Sequence, residues 1–362
     1  MRRSMLFLPG NSPNILLNAD YLGSDSVILD LEDAVAPTEK DSARILVRNG
    51  IRALEYTREV IVRINPVDSP YWEKDLAAII PVKPDMIMPT KVSCAGDVKI
   101  ISDRIALLEE QCGFAAGTVR LIPLIETALG VEKAFEIASA DSRVAAIFLG
   151  GEDLTADLRC KRTKEGQEIF YARSRMVMAA RAAGVDVYDT PWTDVEDYDG
   201  LVADAQFAKS LGFTGKASIS PRHIPFINEV FSPTMEEIQY AKDVFETIER
   251  AKAEGKGVVS LRGKMIDAPI VARANQVLEA AEAMGLYERP VKTSAVSGSA
   301  AAAGGADTEG EPVNEPASAA TSASTESAAS AATASESSAA TATLTASESS
   351  AVPAAVKGGS EK

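Results

Sequence analysis

Eight short apolar runs recur between Ser4 and Pro221, each too short for a helix and each followed by a helical pattern. They cover 4–9, 26–33, 60–65, 85–91, 120–127, 145–153, 185–192 and 215–221. Runs without polar alternation belong to strands buried on both faces, as in parallel sheets. Strand and helix alternating at a spacing of roughly thirty residues predict an α/β chain and a (β/α)8 TIM barrel. A doubly wound open sheet is the alternative, but it needs a glycine fingerprint after the first strand, and Gly10-Asn-Ser-Pro13 is not one. The helices are expected over 13–22, 38–56, 71–80, 97–112, 130–140, up to Ala183, and 196–211. Ser12 before Pro13 and Thr38 with Asp41 mark two starts; Gly113, Gly184 and Gly212 mark stops.

Two more helical patterns follow, 235–254 and 267–284, with a small strand expected at 258–261 between them. Helices beyond a closed barrel either pack on it or reach a neighbouring subunit. From Ser294 the composition collapses to Ala, Ser, Thr, Glu, Gly and Pro, and Thr333-Ala-Ser-Glu-Ser-Ser-Ala339 recurs at 345–351. Such a segment buries too little apolar surface to offset its ordering entropy, so disorder is expected. The organisation is therefore a barrel at 1–233, a C-terminal helical extension at 234–292 and a disordered low-complexity tail at 293–362.

Eight acids and two bases give that tail -6 of the chain's -15. A chain this acidic is not expected to have nucleic acid or an anionic membrane as its main partner. Cys94, Cys112 and Cys160 are odd in number and lack metal-type spacing, which suits a reducing cytoplasm. The basic-then-apolar start is cut short by Pro9 and Gly10, so it reads as a strand and not a secretory signal. No apolar stretch of about 18 residues is present for a transmembrane helix.

In such barrels, side chains at the carboxyl ends of the strands face the reaction site. Here those positions are Gly10, Glu32, Asp33, Arg63, Asn65, Lys91, Glu126, Asp153, the segment 189–192 and Ser220. Two successive runs end in acids, Glu126 and then Glu152 with Asp153, which suggests a cation site; the other reading is that they cap helices. Oxygen donors without nearby His or Cys favour Mg2+ over zinc. The single histidine, His223, lies past the eighth run, which argues against a Ser-His-Asp hydrolase. Arg63, in an otherwise apolar strand, needs an anion: either a substrate carboxylate or an internal partner, Glu32 or Asp33. Lys91 is either a Schiff-base lysine or half of a salt bridge, and the acids around it favour the bridge.

Arg3-Ser-Met-Leu-Phe-Leu-Pro-Gly-Asn11, Asp30-Leu-Glu-Asp-Ala-Val35, Val62-Arg-Ile-Asn65, Ile125-Glu126, Gly151-Glu-Asp-Leu154 and Ile219-Ser-Pro-Arg222 resemble the citrate lyase beta-subunit family. This is the citryl-CoA lyase branch of the HpcH/HpaI group of Mg2+-dependent aldolases and lyases. The stretch from Gly257 to Pro269 is similar to beta subunits of true citrate lyase complexes. The resemblance covers about residues 1 to 290, and the tail lies outside it. It implies a TIM barrel, a homotrimer or a complex with an alpha subunit and a separate acyl carrier protein, and a small acyl-thioester substrate. It implies Mg2+ on Glu126 and Asp153 and substrate contacts from Arg63 and Glu126; Glu32, Asp33 and Lys91, at strand ends, are the candidate supporting residues. It makes Asp267 the catalytic aspartate, delivered by the C-terminal segment of a neighbouring subunit. Many stand-alone relatives carry His where this chain has Ser220, a departure that weakens stand-alone CoA chemistry. The rivals are a lyase for another 3-hydroxyacyl-CoA such as malyl-CoA, an imine aldolase using Lys91, and a non-catalytic assembly subunit.

Overall fold

The computed structural model describes residues 2–255 and 259–289. The tail at 293–362, expected to be disordered, lies outside these residues. Nine strand segments form one parallel sheet: β1 (Ser4–Pro9), β2 (Ser26–Asp30), β3 (Glu59–Ile64), β4 (Met86–Pro89), β5 (Arg120–Leu121), β6 (Leu124–Ile125), β7 (Ala146–Leu149), β8 (Asp186–Asp189) and β9 (Gly215–Ser218). Their order is β5-β4-β3-β2-β1-β9-β8-β7-β6.

The two ends of that order are halves of one run. β5 pairs with β4 through Met86↔Arg120 and Ile87↔Leu121. β6 pairs with β7 through Leu124↔Phe148 and Ile125↔Leu149. Leu121 also bridges Val144, so the segment carrying β5 and β6 has a neighbour on each side and the sheet curls shut. The break falls at Pro123, which has no N–H for the ladder; its carbonyl accepts from Phe148 N at 3.0 Å. The eight runs read from the sequence thus become eight staves, the fifth of them in two pieces.

Strand parity divides the core in two. Met5, Ile28, Ile61, Met88, Leu124, Phe148, Tyr188 and Ala217 fill the barrel. Residues of opposite parity, among them Leu6, Val27, Leu29, Val62 and Val187, meet the helices outside. At the amino-terminal mouth Arg2 Nε bonds Glu59 at 2.6 Å beside the Tyr188 hydroxyl.

The helices are α1 (Pro13–Asn18), α2 (Lys40–Ala53), α3 (Trp72–Ile79), α4 (Ala95–Cys112), α5 (Ala128–Glu132), α6 (Ala134–Ala138), α7 (Gly151–Asp157), α8 (Phe170–Ala183), α9 (Tyr198–Leu211), α10 (Ile224–Phe231), α11 (Met235–Ala253) and α12 (Ala268–Ala283). Gly113, Gly184 and Gly212 end their helices in the left-handed region, as expected. The two expected side-chain starts differ. Ser12 makes no capping bond, and α1 opens on Pro13 alone. Thr38 sits inside a 3-10 turn, Pro37–Glu39, so α2 begins later, at Lys40. The expected helix at 130–140 is two pieces, α5 and α6, meeting at Lys133. The sequence reading did not anticipate α7 and α10.

In the C-terminal extension, α11 and α12 share a core of Ile238, Ala241, Val244, Ala274, Leu278 and Ala281. The small strand expected at 258–261 is one arm of a hairpin, β10 (Ser260–Leu261) with β11 (Lys264–Met265). No described helix is long and apolar enough to cross a membrane.

Candidate active site

The inward parity of the strands builds the site. Six inward apolar residues are followed, two positions on, by a residue at the carboxyl mouth: Ile28 by Asp30, Ile61 by Arg63, Leu124 by Glu126, Phe148 by Gly150, Tyr188 by Thr190 and Ala217 by Ile219. All six mouth residues line one cavity of about 490 Å3, with Asp33, Glu152 and Asp153 and an apolar wall that includes Phe7 and Pro191.

Strand register places Asp30 opposite Arg63. Arg63 donates from Nε and Nη2 to the two Asp30 carboxylate oxygens at 2.7 and 2.6 Å. Its Nη1 lies 3.3 Å from Glu32 Oε2, and its plane covers the Phe7 ring at 4.9 Å. The sequence reading offered a substrate anion or an internal bridge to Glu32 or Asp33. The structure gives the bridge, but its main partner is Asp30, which was not considered, and Asp33 is not among its ion-pair partners. A bidentate pair fixes the guanidinium plane and leaves the Nη1 edge toward the cavity.

Lys91 follows β4 with φ 53°, a left-handed conformation unusual for lysine. That turn sends its two ends to different acids. Its N–H donates to Glu126 Oε1 at 2.9 Å, and its ammonium donates to Glu32 Oε1 at 2.6 Å. The same ammonium lies 3.8 Å from Asp153 and 4.0 Å from Asp33. Burial opposes the charge, but the Glu32 bond and the surrounding acids outweigh it and hold the ammonium above its usual range. An imine-forming lysine has to lose its proton readily, so the geometry supports the salt bridge.

Glu126 follows β6 and is 3% exposed. Burial, with the charges of Asp153 and Glu32, pushes its carboxyl up to about 8. A Cβ on Gly150 would stand 2.6 Å from its Oε2, so only glycine lets the β7–α7 turn pass this close. Asp153 was expected at a strand end. β7 instead stops at Leu149, and Asp153 lies in the first turn of α7 with Glu152. Glu152, also on the cavity lining, has its carboxylate 3.6 Å from Arg162 Nε.

Several expected strand-end residues do other work. Asn65 bonds the Leu31 carbonyl and Asp75. Ser220 is buried and its carbonyl accepts from the Ser218 hydroxyl. Asp189 points outward into a sealed group of charges, leaving Thr190 and Pro191 to reach the cavity. Asp267 caps α12, accepting from Ile270 N at 3.1 Å; it is exposed and does not line the cavity within one chain. His223 is buried with Nε2 3.2 Å from the Val195 carbonyl, far from ligand duty.

The mouth therefore gathers Asp30, Glu32, Asp33, Glu126 and Asp153 around Arg63 and Lys91, an excess of acid with oxygen donors only. Among the described residues no three His, Cys, Asp or Glu converge tightly enough to form an all-protein cage. One or two carboxylates with open positions suit Mg2+, which keeps several waters, better than zinc or calcium. The sequence reading did not single out Asp30, and it held Thr190 only within the segment 189–192. Counting two residues on from the inward Ile28 and Tyr188 picks out both.

A profile of the HpcH/HpaI aldolase/citrate lyase family matches residues 3–221. The chain is 41% identical over 289 residues to the citrate lyase subunit beta of Leuconostoc mesenteroides subsp. cremoris, covering 80% of this chain and 96% of that one. It superposes on the solved structure of the protein CitE from Mycobacterium tuberculosis in complex with magnesium, acetoacetate and coenzyme A. The TM-score is 0.65 at 29% identity, over 78% of this chain and 98% of that one. It also superposes on a citrate lyase beta subunit complexed with oxaloacetate and magnesium from M. tuberculosis, at TM-score 0.55 and 30% identity, over 64% and 97% of the two chains.

Proposed function

Because the chain belongs to the HpcH/HpaI aldolase/citrate lyase family, we propose that it is a Mg2+-dependent carbon–carbon lyase, the beta subunit of a citrate lyase. Its substrate is a citryl thioester, cleaved to oxaloacetate and an acetyl thioester. The observation that carries this reading is the acid-rich cavity at the barrel mouth, where Glu126 and Asp153 face each other's field beside a clamped Arg63.

Glu126 and Asp153 would hold Mg2+, which when bound polarises the substrate's hydroxyl and carboxylate oxygens. Asp30 holds Arg63 in one plane, and its Nη1 edge, which faces Glu32 at 3.3 Å, would turn to receive a second substrate carboxylate. The apolar wall of Phe7, Phe148, Pro191 and Ile219 keeps water from the reacting carbons. Loss of the hydroxyl proton to solvent, matched by the one later given to the enolate carbon, turns that C–O bond into the ketone of oxaloacetate. The adjacent carbon–carbon bond breaks, and its electron pair passes to the thioester enolate. Asp267, supplied by the neighbouring copy of a homotrimer, gives the enolate carbon its proton. The alpha subunit and the acyl carrier are separate chains. The three free cysteines accord with a cytoplasmic setting.

The test is cleavage of citryl-CoA and a carrier-bound citryl thioester, with and without Mg2+, followed by oxaloacetate release. Glu126→Ala is expected to abolish turnover while circular dichroism stays that of the parent. Unchanged turnover in that variant refutes the reading, and faster cleavage of malyl-CoA than of either citryl thioester reassigns the substrate.

A further inference from the structure

Behind the barrel wall, between the sheet and the outer helices, four charges are sealed from solvent. Arg173 of α8, Asp189 of β8 and Lys216 of β9 are 0% exposed, and Asp204 of α9 is 7% exposed. Arg173 bonds both Asp189 oxygens, at 2.9 and 2.8 Å, and Asp204 at 2.7 Å. Lys216 bonds Asp189 and Asp204, each at 2.6 Å. A buried, neutral set of this kind is a poor source of stability, since apolar side chains of equal volume commonly do as well.

One bond leaves the set. The third proton of Lys216 goes to the Thr190 carbonyl at 2.7 Å. Thr190 lines the catalytic cavity, and its hydroxyl accepts the N–H of Gly151 at 3.0 Å. Gly151 is the first residue of α7, whose first turn carries Asp153. The contact is close, since a Cβ on Gly151 would meet Thr190 Oγ1 at 2.8 Å. On the other side of the same dipeptide, Gly150 abuts the Glu126 carboxylate. The Gly150-Gly151 backbone is thus wedged between Glu126 and Thr190, and Thr190 is held from behind by Lys216.

We propose that Thr190 is a positioning residue which, braced by the Lys216 set, fixes the spacing between Glu126 and Asp153. This rests on the reading of those two acids as the pair that takes the divalent ion. Outer partners of metal-binding side chains commonly change affinity by about 10- to 100-fold when removed.

The test is Mn2+ binding, followed by electron paramagnetic resonance on full-length protein, for the parent, Thr190→Val, Thr190→Ala, Thr190→Ser and Glu126→Gln. The parent should bind one Mn2+, and Glu126→Gln should lose it. Parent protein without Glu126-dependent binding sinks the proposed function itself. Given that binding, Thr190→Val should weaken Mn2+ by about tenfold or more, with kcat reduced at saturating metal. Thr190→Ser, which restores the acceptor, should return affinity to about twofold of the parent. Parent-like affinity in Thr190→Val overturns the positioning role. If valine does not fold, alanine and serine decide it: a weak alanine with a parent-like serine supports the role, and equal behaviour of the two overturns it.

Discussion

Glu126 carries the strongest pH signature in the site. Its carboxyl is held near 8 in the fold against an ordinary 4.5, so between those values the folded chain binds more protons than the unfolded one. The stability contributed by the protonated carboxyl is complete below 4.5 and is lost as the pH rises through about 8. In chelator, the unfolding midpoint should fall across that window, and Glu126→Gln should remove most of the slope. Scanning fluorimetry checks this, and an identical slope in the two proteins rules it out. Divalent-ion affinity should rise over the same window, because the ion displaces that proton. Glu126, Asp153, Arg63 and Lys91 were readable from residue type and position alone. The Asp30–Arg63 pair was not, because it depends on which residues stand opposite in neighbouring strands. Thr190 stood within the strand-end segment 189–192, but its bond to Gly151 was unreadable, because a neutral hydroxyl at the end of an apolar run carries no mark of its partner.

At the scale of elements, the strands were legible because burial on both faces leaves them apolar throughout, and the helices because glycines stop them. The β7–α7 corner was not. Its seven-residue helix opens on Gly-Glu-Asp, and the acids read as the end of the preceding run. Two glycine substitutions, one at the end of α4 and one at this corner, separate backbone strain from crowding. Gly113 has φ 72° and no atom within 4 Å of an added Cβ, so Gly113→Ala should lower stability by about 1 kcal/mol and leave kcat alone. Gly150→Ala places a methyl against Glu126 and should cost about 1–3 kcal/mol and most of the activity. Urea unfolding beside steady-state assays checks both; equal effects on kcat would show that the corner does not set the site.

For the molecule as a whole, the C-terminal extension places Asp267 outside the cavity lining of its own barrel. Asp267 is exposed and, among the described residues, bonded to its own helix start, while the cavity is lined from Phe7 to Ile219. If a neighbouring copy supplies it, Glu126→Ala and Asp267→Asn should each be inactive alone and complement when co-expressed. A trimer mixed at random should regain roughly a quarter of parent activity; co-purified mixtures that stay inactive exclude the shared site. The barrel itself was legible because eight runs at regular spacing admit few other closures, whereas an arrangement between copies leaves no periodicity in one chain. The sealed group of Arg173, Asp189, Asp204 and Lys216 bears on the protein's history as well. Removing any one member strands a charge in the interior at roughly 3–5 kcal/mol. Against a whole margin of about 5–15 kcal/mol, each such single step gives up a large share of the fold's stability. Descendants of this chain should therefore inherit the four as a block, and lineages that abandon them should have exchanged several together.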